Sequence, residues 1–563
     1  MLKTMEKNEF SVDDFTKVSL KKDERSCVES ETRDKKYQPH PHLKVAHIFV
    51  FWRCELTPHQ AGFPYFPFKM KSFAIATAVL SLVSSAFGAD KSNLTKPSTS
   101  KNILPSNFKP PQVFKNVNLV HTINLEKSYP RESINVVIEN IASEPQDEYY
   151  LPFTSKQMET IGAVEVKDRK NPESGLFEVR PAQIYTEGDT SFYLIKLPQP
   201  LAPKAQQTIG ISYSYLSALN PLPNSIAQKE NQYVVYEFSA YAQSSYVTSK
   251  QKTEVKLPTT NVPDYTTIPG ANDAPESPQK QGSKYTYGSY GEVPAGAVEP
   301  VRVRYEFTKP LIHVSRLERD IEVSHWGGNV AFEERYTLTN RAANLSQPFS
   351  RTLWTQAAYF PTNPTSAIKE LKFPLRVGSL TPYFTDIIGN VSTSRFRSNR
   401  REANLEIKPR YPIFGGWNYP FRVGWDADAK KFLRKLSGEQ YVLNVPFLEG
   451  PKQAEGIEYE FVELRVILPE GAENVQFSTL FPTTSSKIAL HKTFMDTVGR
   501  TTLVLHSYNV IDDLRDREII VTYTYSFLAG IRKPIVIFFS VLSLFVTVWG
   551  VGTLNVSIKA KKA

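Results

Sequence analysis

Cysteine is almost missing from this 563-residue chain. There are two, Cys27 and Cys54, and nothing beyond them. The long remainder can therefore hold no disulfide, no thiol nucleophile and no thiolate–metal site, and its stability must come from core burial. The common catalytic signatures are missing as well: no HExxH zinc helix, no GxSxG nucleophile elbow, no GxxxxGK phosphate loop and no CxxC. His40, His42, His47 and His59 lie near the two cysteines, but their spacing fits no zinc pattern. The formal net charge is +10, yet both signs are interspersed and no basic run carries interleaved aromatics. That is a solvated surface rather than a nucleic-acid groove. Glycine is scarce (26), whereas Pro (40), Phe (34) and Tyr (28) are plentiful, a composition suited to β-structure with many turns.

What is present begins at the far end. Ile535 to about Asn555 carries no charge and is rich in Phe, Val, Ile and Leu. As a helix rising about 1.5 Å per residue it covers roughly 30 Å, the thickness of a bilayer's hydrocarbon core. Arg532 and Lys533 precede it, Lys559, Lys561 and Lys562 follow it, and Pro534 is expected in its first turn. A transmembrane helix is predicted over 534–556, with 557–563 as a cytosolic tail. A second apolar segment, Met70 to Asp90, has Lys69 and Lys71 at its head, a short core from Phe73 to Val83, and Ala86-Phe87-Gly88 at its end. It reads as a signal peptide over 70–88, with an uncleaved anchor as the alternative. Residues 1–69 are then expected to be an over-extended reading frame or a processed leader. The result is a single-pass type I topology with the bulk of the chain in a lumen. Lys559 and Lys561 match the spacing of a dilysine retrieval signal to the endoplasmic reticulum, and serve equally as a basic stop-transfer flank.

Between these segments the pattern is mainly β. Two tandem lumenal β-sandwich-like domains are expected, over 113–267 and 298–530, after an extended polar stretch at 89–112 and joined by a Gly/Pro/Ser-rich linker at 268–297. Ile134–Glu139, Ser191–Leu197, Thr208–Tyr215 and Tyr233–Phe238 are strands of the first. Val301–Phe307, Val330–Leu338, Tyr459–Leu468, Thr502–His506 and Val521–Phe527 are strands of the second. Asp428–Leu436 is the one short helix predicted, with an Asp at its N-cap. Both blocks open with a strand, a charged turn and a strand ending in Asn, which hints at duplication.

The candidate chemistry is sparse. Asp426-Ala427-Asp428 has the DxD form that holds a metal and nucleotide sugar in glycosyltransferases, but a helix start explains it more cheaply. Asp512, Asp513, Asp516 and Glu518 could hold calcium. Arg515 and Arg517 interleave with them, and a charge-compensated turn is the simpler reading. His325-Trp326-Gly327-Gly328 is read as a packed turn in preference to a catalytic one. Sequons at Asn390, Asn344 and Asn93 are glycosylation candidates, Asn390 foremost, whereas Asn555 falls at the cytosolic end of the span.

Several stretches resemble the ribophorin I family: Asp386 to Ser394 (DIIGNVSTS), Lys408 to Trp417 (KPRYPIFGGW), Asp320 to Gly327 (DIEVSHWG), Val510 to Asp513 with Glu518 to Val521, and Lys250 to Thr259. The likeness covers most of 113–558. It implies a non-catalytic subunit of the oligosaccharyltransferase complex of the endoplasmic reticulum membrane. That complex transfers a preassembled glycan from a dolichol carrier to Asn of nascent chains, and its chemistry resides in a different, multi-spanning subunit. The resemblance thus implies the other subunits, including the catalytic one, as partners, with acceptor polypeptides and membrane lipid beside them. It implies neither a cofactor nor nucleic acid. Animal members carry a sizeable cytosolic domain linked to ribosome attachment. Here few residues follow Asn555, as in fungal-type members, which argues against direct ribosome binding. A stand-alone lumenal cargo receptor or chaperone is the alternative.

Overall fold

Alternation of period two sets the architecture. In strand Phe114–Asn124 the residues Leu119, His121 and Ile123 are buried, and a register shift between Asn116 and Asn118 brings Phe114 and Asn116 onto the same face. The computed structural model describes residues 102–554 apart from 106–107, 185–189, 270–276, 359–363 and 495. The expected leader, residues 1–69, Asn93, Asn555, Lys559 and Lys561 lie outside the described residues.

Phe114–Asn124 forms an antiparallel hairpin with Arg131–Asn140 at the centre of a seven-stranded sheet. On one side the sheet continues through Gln251–Lys256, parallel to the first hairpin strand, then Lys284–Tyr290 and Gln279–Gln281. On the other it continues through Gln206–Tyr215 and Ile161–Asp168. Two smaller sheets share one face of it. One is built on Gln146–Thr154, Thr190–Leu201 and Glu178–Ile184, with Phe153, Ile195 and Leu197 meeting Ile134 and Val136. The other is built on Tyr233–Ser239 and Pro300–Glu306, with Val234, Val303 and Tyr305 meeting Ile123 and Tyr285.

The second half repeats this plan strand for strand. Its central hairpin is Ile312–Ser324 with Asn329–Asn340, and the hairpin's first strand again pairs in parallel with a later one, Glu458–Glu470. Asn418–Asp428 and Ser379–Asp386 extend one side, Arg500–Ile511 and Ser485–His491 the other. Its small sheets are Leu371–Leu375, Ala403–Ile407 and Arg395–Ser398, and a set centred on Gln440–Pro446 and Glu518–Tyr525. The bulge recurs between Val314 and Arg316. So does the terminal asparagine, fully buried in each half. Asn140 donates to the carbonyls of Glu144 and Leu201 and accepts from Ala142 N–H. Asn340 donates to Ser366 and Ile413 and accepts from Leu311 and Ala342. Each asparagine satisfies backbone groups of its own turn and of more distant segments.

Four expectations are corrected. The stretch 268–297 is not only a connection, because Lys284–Tyr290 buries Tyr285 and Tyr287 in the first half's core; its Gly and Ser hide that alternation. Pro300–Glu306 pairs with Tyr233–Ser239 and so belongs to the first half, not the second. Asp428–Leu436 is no α-helix. Asp428 caps one turn of 3-10 helix, Ala429–Lys431, and the chain then re-enters a sheet as Leu433–Lys435, where a partner strand outweighs helix propensity. The last strand ends at Tyr525, and Phe527 opens the C-terminal helix Phe527–Thr553.

The second hairpin buries a charge. Arg319 is wholly enclosed, paired with Glu334 and, at 2.8 Å, with Glu449. Its guanidinium lies 5.2 Å from the ring centre of Phe332 and 5.7 Å from that of Trp425, two rings stacked at 5.5 Å. Arg319→Leu leaves two carboxylates buried without their cation and is expected to cost about 3–5 kcal/mol. Thermal unfolding of the detergent-solubilised full chain checks this, and adding Glu334→Gln should recover part of the loss.

Candidate functional site

Three places gather polar side chains in a way the fold alone does not require. The first is the junction with the C-terminal helix. Ser526 caps it, its hydroxyl accepting from Ala529 N–H at 3.1 Å, and Phe527 N–H donates to Glu439. Gly471, at φ +89°, lies where a Cβ would come 2.8 Å from the Cβ of Ala529, so glycine lets the first helical turn rest on the sheet. Pro534 is not in the first turn as expected but inside the helix. Its missing N–H leaves the carbonyl of Gly530 without a helical partner, and the indole N–H of Trp326 donates to that oxygen at 2.5 Å. His325 beside it bonds the Tyr523 hydroxyl at 2.8 Å and packs 4.5 Å from the Tyr525 ring. Burial pushes its pKa below the ordinary value, so it is a neutral packing group. On the next turn Lys533 pairs with Asp496 at 2.5 Å.

The second place joins the two halves. The charge-compensated turn expected at Asp512 is compensated largely from the other half. Lys127 and the hydroxyl of Tyr129 reach Asp512, and Lys127 and Arg131 reach Asp513 at 2.6 and 2.7 Å. Arg517 pairs with Glu165, and Arg515 binds the carbonyls of Glu449 and Pro374. Asp512 and Asp513 are thus committed to cations of this chain.

The third is a cleft of about 580 Å³ in the first half, between the small sheet of Tyr233–Ser239 and the short helix Ser155–Thr160, which sequence reasoning did not find. Its floor is Glu132, a buried carboxylate that accepts from His121 (2.9 Å), Tyr213 (2.9 Å) and Tyr236 (2.6 Å). Burial works to raise the Glu132 pKa, but His121 and the two hydroxyls outweigh it and hold the group ionised. With three donors bound, Glu132 is poorly placed to take a proton from a substrate. The only sequence signal was a polar residue at an apolar-face position in each central strand, His121 and Glu132.

The comparisons with known proteins agree on one family. The family model for ribophorin I matches residues 114–552, from the first strand of the central hairpin to the last turn of the helix. The chain belongs to the ribophorin I family. Among its relatives, a Caenorhabditis elegans protein named dolichyl-diphosphooligosaccharide–protein glycosyltransferase subunit 1 is 31% identical over 435 residues, 77% of this chain and 71% of that one. The Schizosaccharomyces pombe protein of the same name is 28% identical, over 74% of this chain and 90% of its own. Subunit 1B of Arabidopsis thaliana is 31% identical, over 72% and 86%.

The remaining sequence candidates are dispersed. Asn390 is exposed in the loop after Ser379–Asp386, as is Ser392 of its sequon. Asn344 is exposed, but its backbone is held by Ser225–Ile226 and Gly415. Asp426 accepts from Asn329 and Thr381, while Asp428 caps Lys430, so the DxD pair is occupied structurally.

The Asp496–Lys533 clasp predicts a pH dependence. Burial raises the Asp496 pKa, but Lys533, Thr493 and Arg500 together hold it well below the ordinary 3.8. A depressed carboxylate stabilises the fold above its unfolded pKa and loses that contribution as pH falls through the folded one. The difference in unfolding midpoint between the parent and Asp496→Asn is therefore expected to stay constant from roughly pH 8 to 5 and to close only well below about pH 4.

Proposed function

We propose that this chain is subunit 1 of a dolichyl-diphosphooligosaccharide–protein glycosyltransferase, with a non-catalytic part in protein N-glycosylation. The observation that carries this is the family match across both β halves and the helix. The two halves stand on the lumenal side of the endoplasmic reticulum membrane, the helix crosses it once, and Lys559 and Lys561 face the cytosol as a retrieval signal. The partners are the other subunits, a multi-spanning catalytic one among them, and the lumenal surface assists acceptor polypeptides. A non-catalytic role is supported by the state of the carboxylates: Glu132, Asp426, Asp512 and Asp513 are each engaged by side chains of this chain.

The test is isolation of the native chain through an internal tag in mild detergent. Stoichiometric recovery of a multi-spanning subunit is expected. Recovery alone, or with varied cargo, would overturn the reading in favour of a lumenal receptor. In the same preparation Asp426→Ala with Asp428→Ala should leave glycan transfer unchanged. Asn390→Gln should remove one glycan, seen as a single endoglycosidase-sensitive step in gel mobility; an unchanged mobility would place that loop out of reach of modification.

A further inference from the structure

Four large apolar side chains surround the start of the helix and face outward: Trp326 is 70% exposed, Phe494 94%, Phe527 74% and Leu528 72%. Trp326 is bonded to Gly530. Phe494 sits at the tip of a turn closed by Asp496, which accepts from the N–H and hydroxyl of Thr493 at 2.8 and 2.7 Å and pairs with Lys533. Glu470 fastens the next residues, accepting from Thr497 and Val498 N–H at 2.7 and 2.6 Å. Phe527 and Leu528 are the first two residues of the helix itself. Exposed apolar groups scattered singly need no explanation, but these gather within about 10 Å along the start of one helix.

That level can be read along the helix. The uncharged stretch begins at Pro534, next to Lys533. Gly530 lies four residues earlier, about 6 Å up at about 1.5 Å per residue, and Phe527 about 10 Å up. Asp496 meets Lys533, so the turn carrying Phe494 stands at the edge of the apolar zone. Lipid headgroups occupy that layer, and Trp and other amphipathic rings concentrate there. Lys435 and Lys492, both exposed, supply positive charge beside the rings for lipid phosphates.

We propose that Trp326, Phe494, Phe527 and Leu528 form a collar seated in the headgroup layer of the bilayer, so that the second β half rests on the membrane surface. The partner is lipid, and the collar is continuous with the span. The inference rests on reading 534–554 as membrane-crossing. The full chain in a Cys27→Ser, Cys54→Ser background, reconstituted in phosphatidylcholine nanodiscs, tests it. Nitroxide labels are placed one at a time through Phe494→Cys, Val541→Cys in the span, and Glu173→Cys on the exposed surface of the first half. Collision with lipid-soluble oxygen is compared with collision with a water-soluble nickel chelate. The oxygen-to-nickel ratio at 494 is expected to be several-fold above that at 173 and to approach that at 541. A ratio at 494 equal to that at 173, with 541 still lipid-like, would overturn the collar and leave the span intact. A label at 494 shielded from both reagents would overturn it in favour of a protein cover. A water-exposed label at 541 would overturn the span and the collar together.

Discussion

A seven-stranded sheet is too wide to be covered by one small sheet, and the seam where two small sheets meet over it governs both halves of this molecule. Apolar side chains from the two covers converge on the larger sheet but leave a line between them. The central hairpin runs beneath that line. In each half it carries a long polar side chain there, His121 in the first and Arg319 in the second, two residues after an equivalent core leucine, Leu119 and Leu317. Desolvating such a group is tolerable only if carboxylates pair with it, and the neighbouring strands provide Glu132 in one case and Glu334 with Glu449 in the other.

The two halves differ in how the seam is closed. Arg319 is long enough to lie across Phe332 and Trp425 and to meet Glu449 from the far side, so the second half has one continuous core. His121 is shorter, and its acid sits one rung away on the adjacent strand. The first half has three separate apolar clusters instead of one, and the cleft opens over Glu132. The same scaffold occurs twice, and the two copies differ in the side chains at the seam.

Much of this was legible in the residues. Strong alternation identified strands such as Arg131–Asn140 and Glu458–Glu470, and the apolar run identified the helix. The shared opening pattern pointed to duplication, because the asparagine that ends each hairpin is a structural necessity and not a turn preference. The failures have physical causes. Lys284–Tyr290 was hidden because Gly288 and Ser289 dilute its tyrosines, and Asp428–Leu436 imitated a helix because its strand portion is only three residues long, Leu433–Lys435, paired across a short turn with Gln440–Pro446. The cleft over Glu132 and the junction at Asp512 depend on contacts between residues far apart in the chain, as with Tyr236 to Glu132 and Tyr129 to Asp512. No local pattern encodes those distances. His325 and Trp326 were read as packing, which holds for His325; the work of Trp326 becomes visible only once Pro534 is seen to lie well inside the helix.

The tie between Trp326 and Gly530, with Lys533 held by Asp496 one turn on, stops the helix from spinning about its own axis. Ser540, Ser543, Thr547 and Gly550 fall on one stripe of that helix, and the hydroxyls of the first three bond back to helix carbonyls, so the stripe is smooth and small. Its compass bearing within the bilayer is therefore dictated by the β half above it. A single residue inserted in the helix between Lys533 and Ser540 would swing the stripe by about 100° relative to those ties and turn a different side of the helix toward whatever lies alongside.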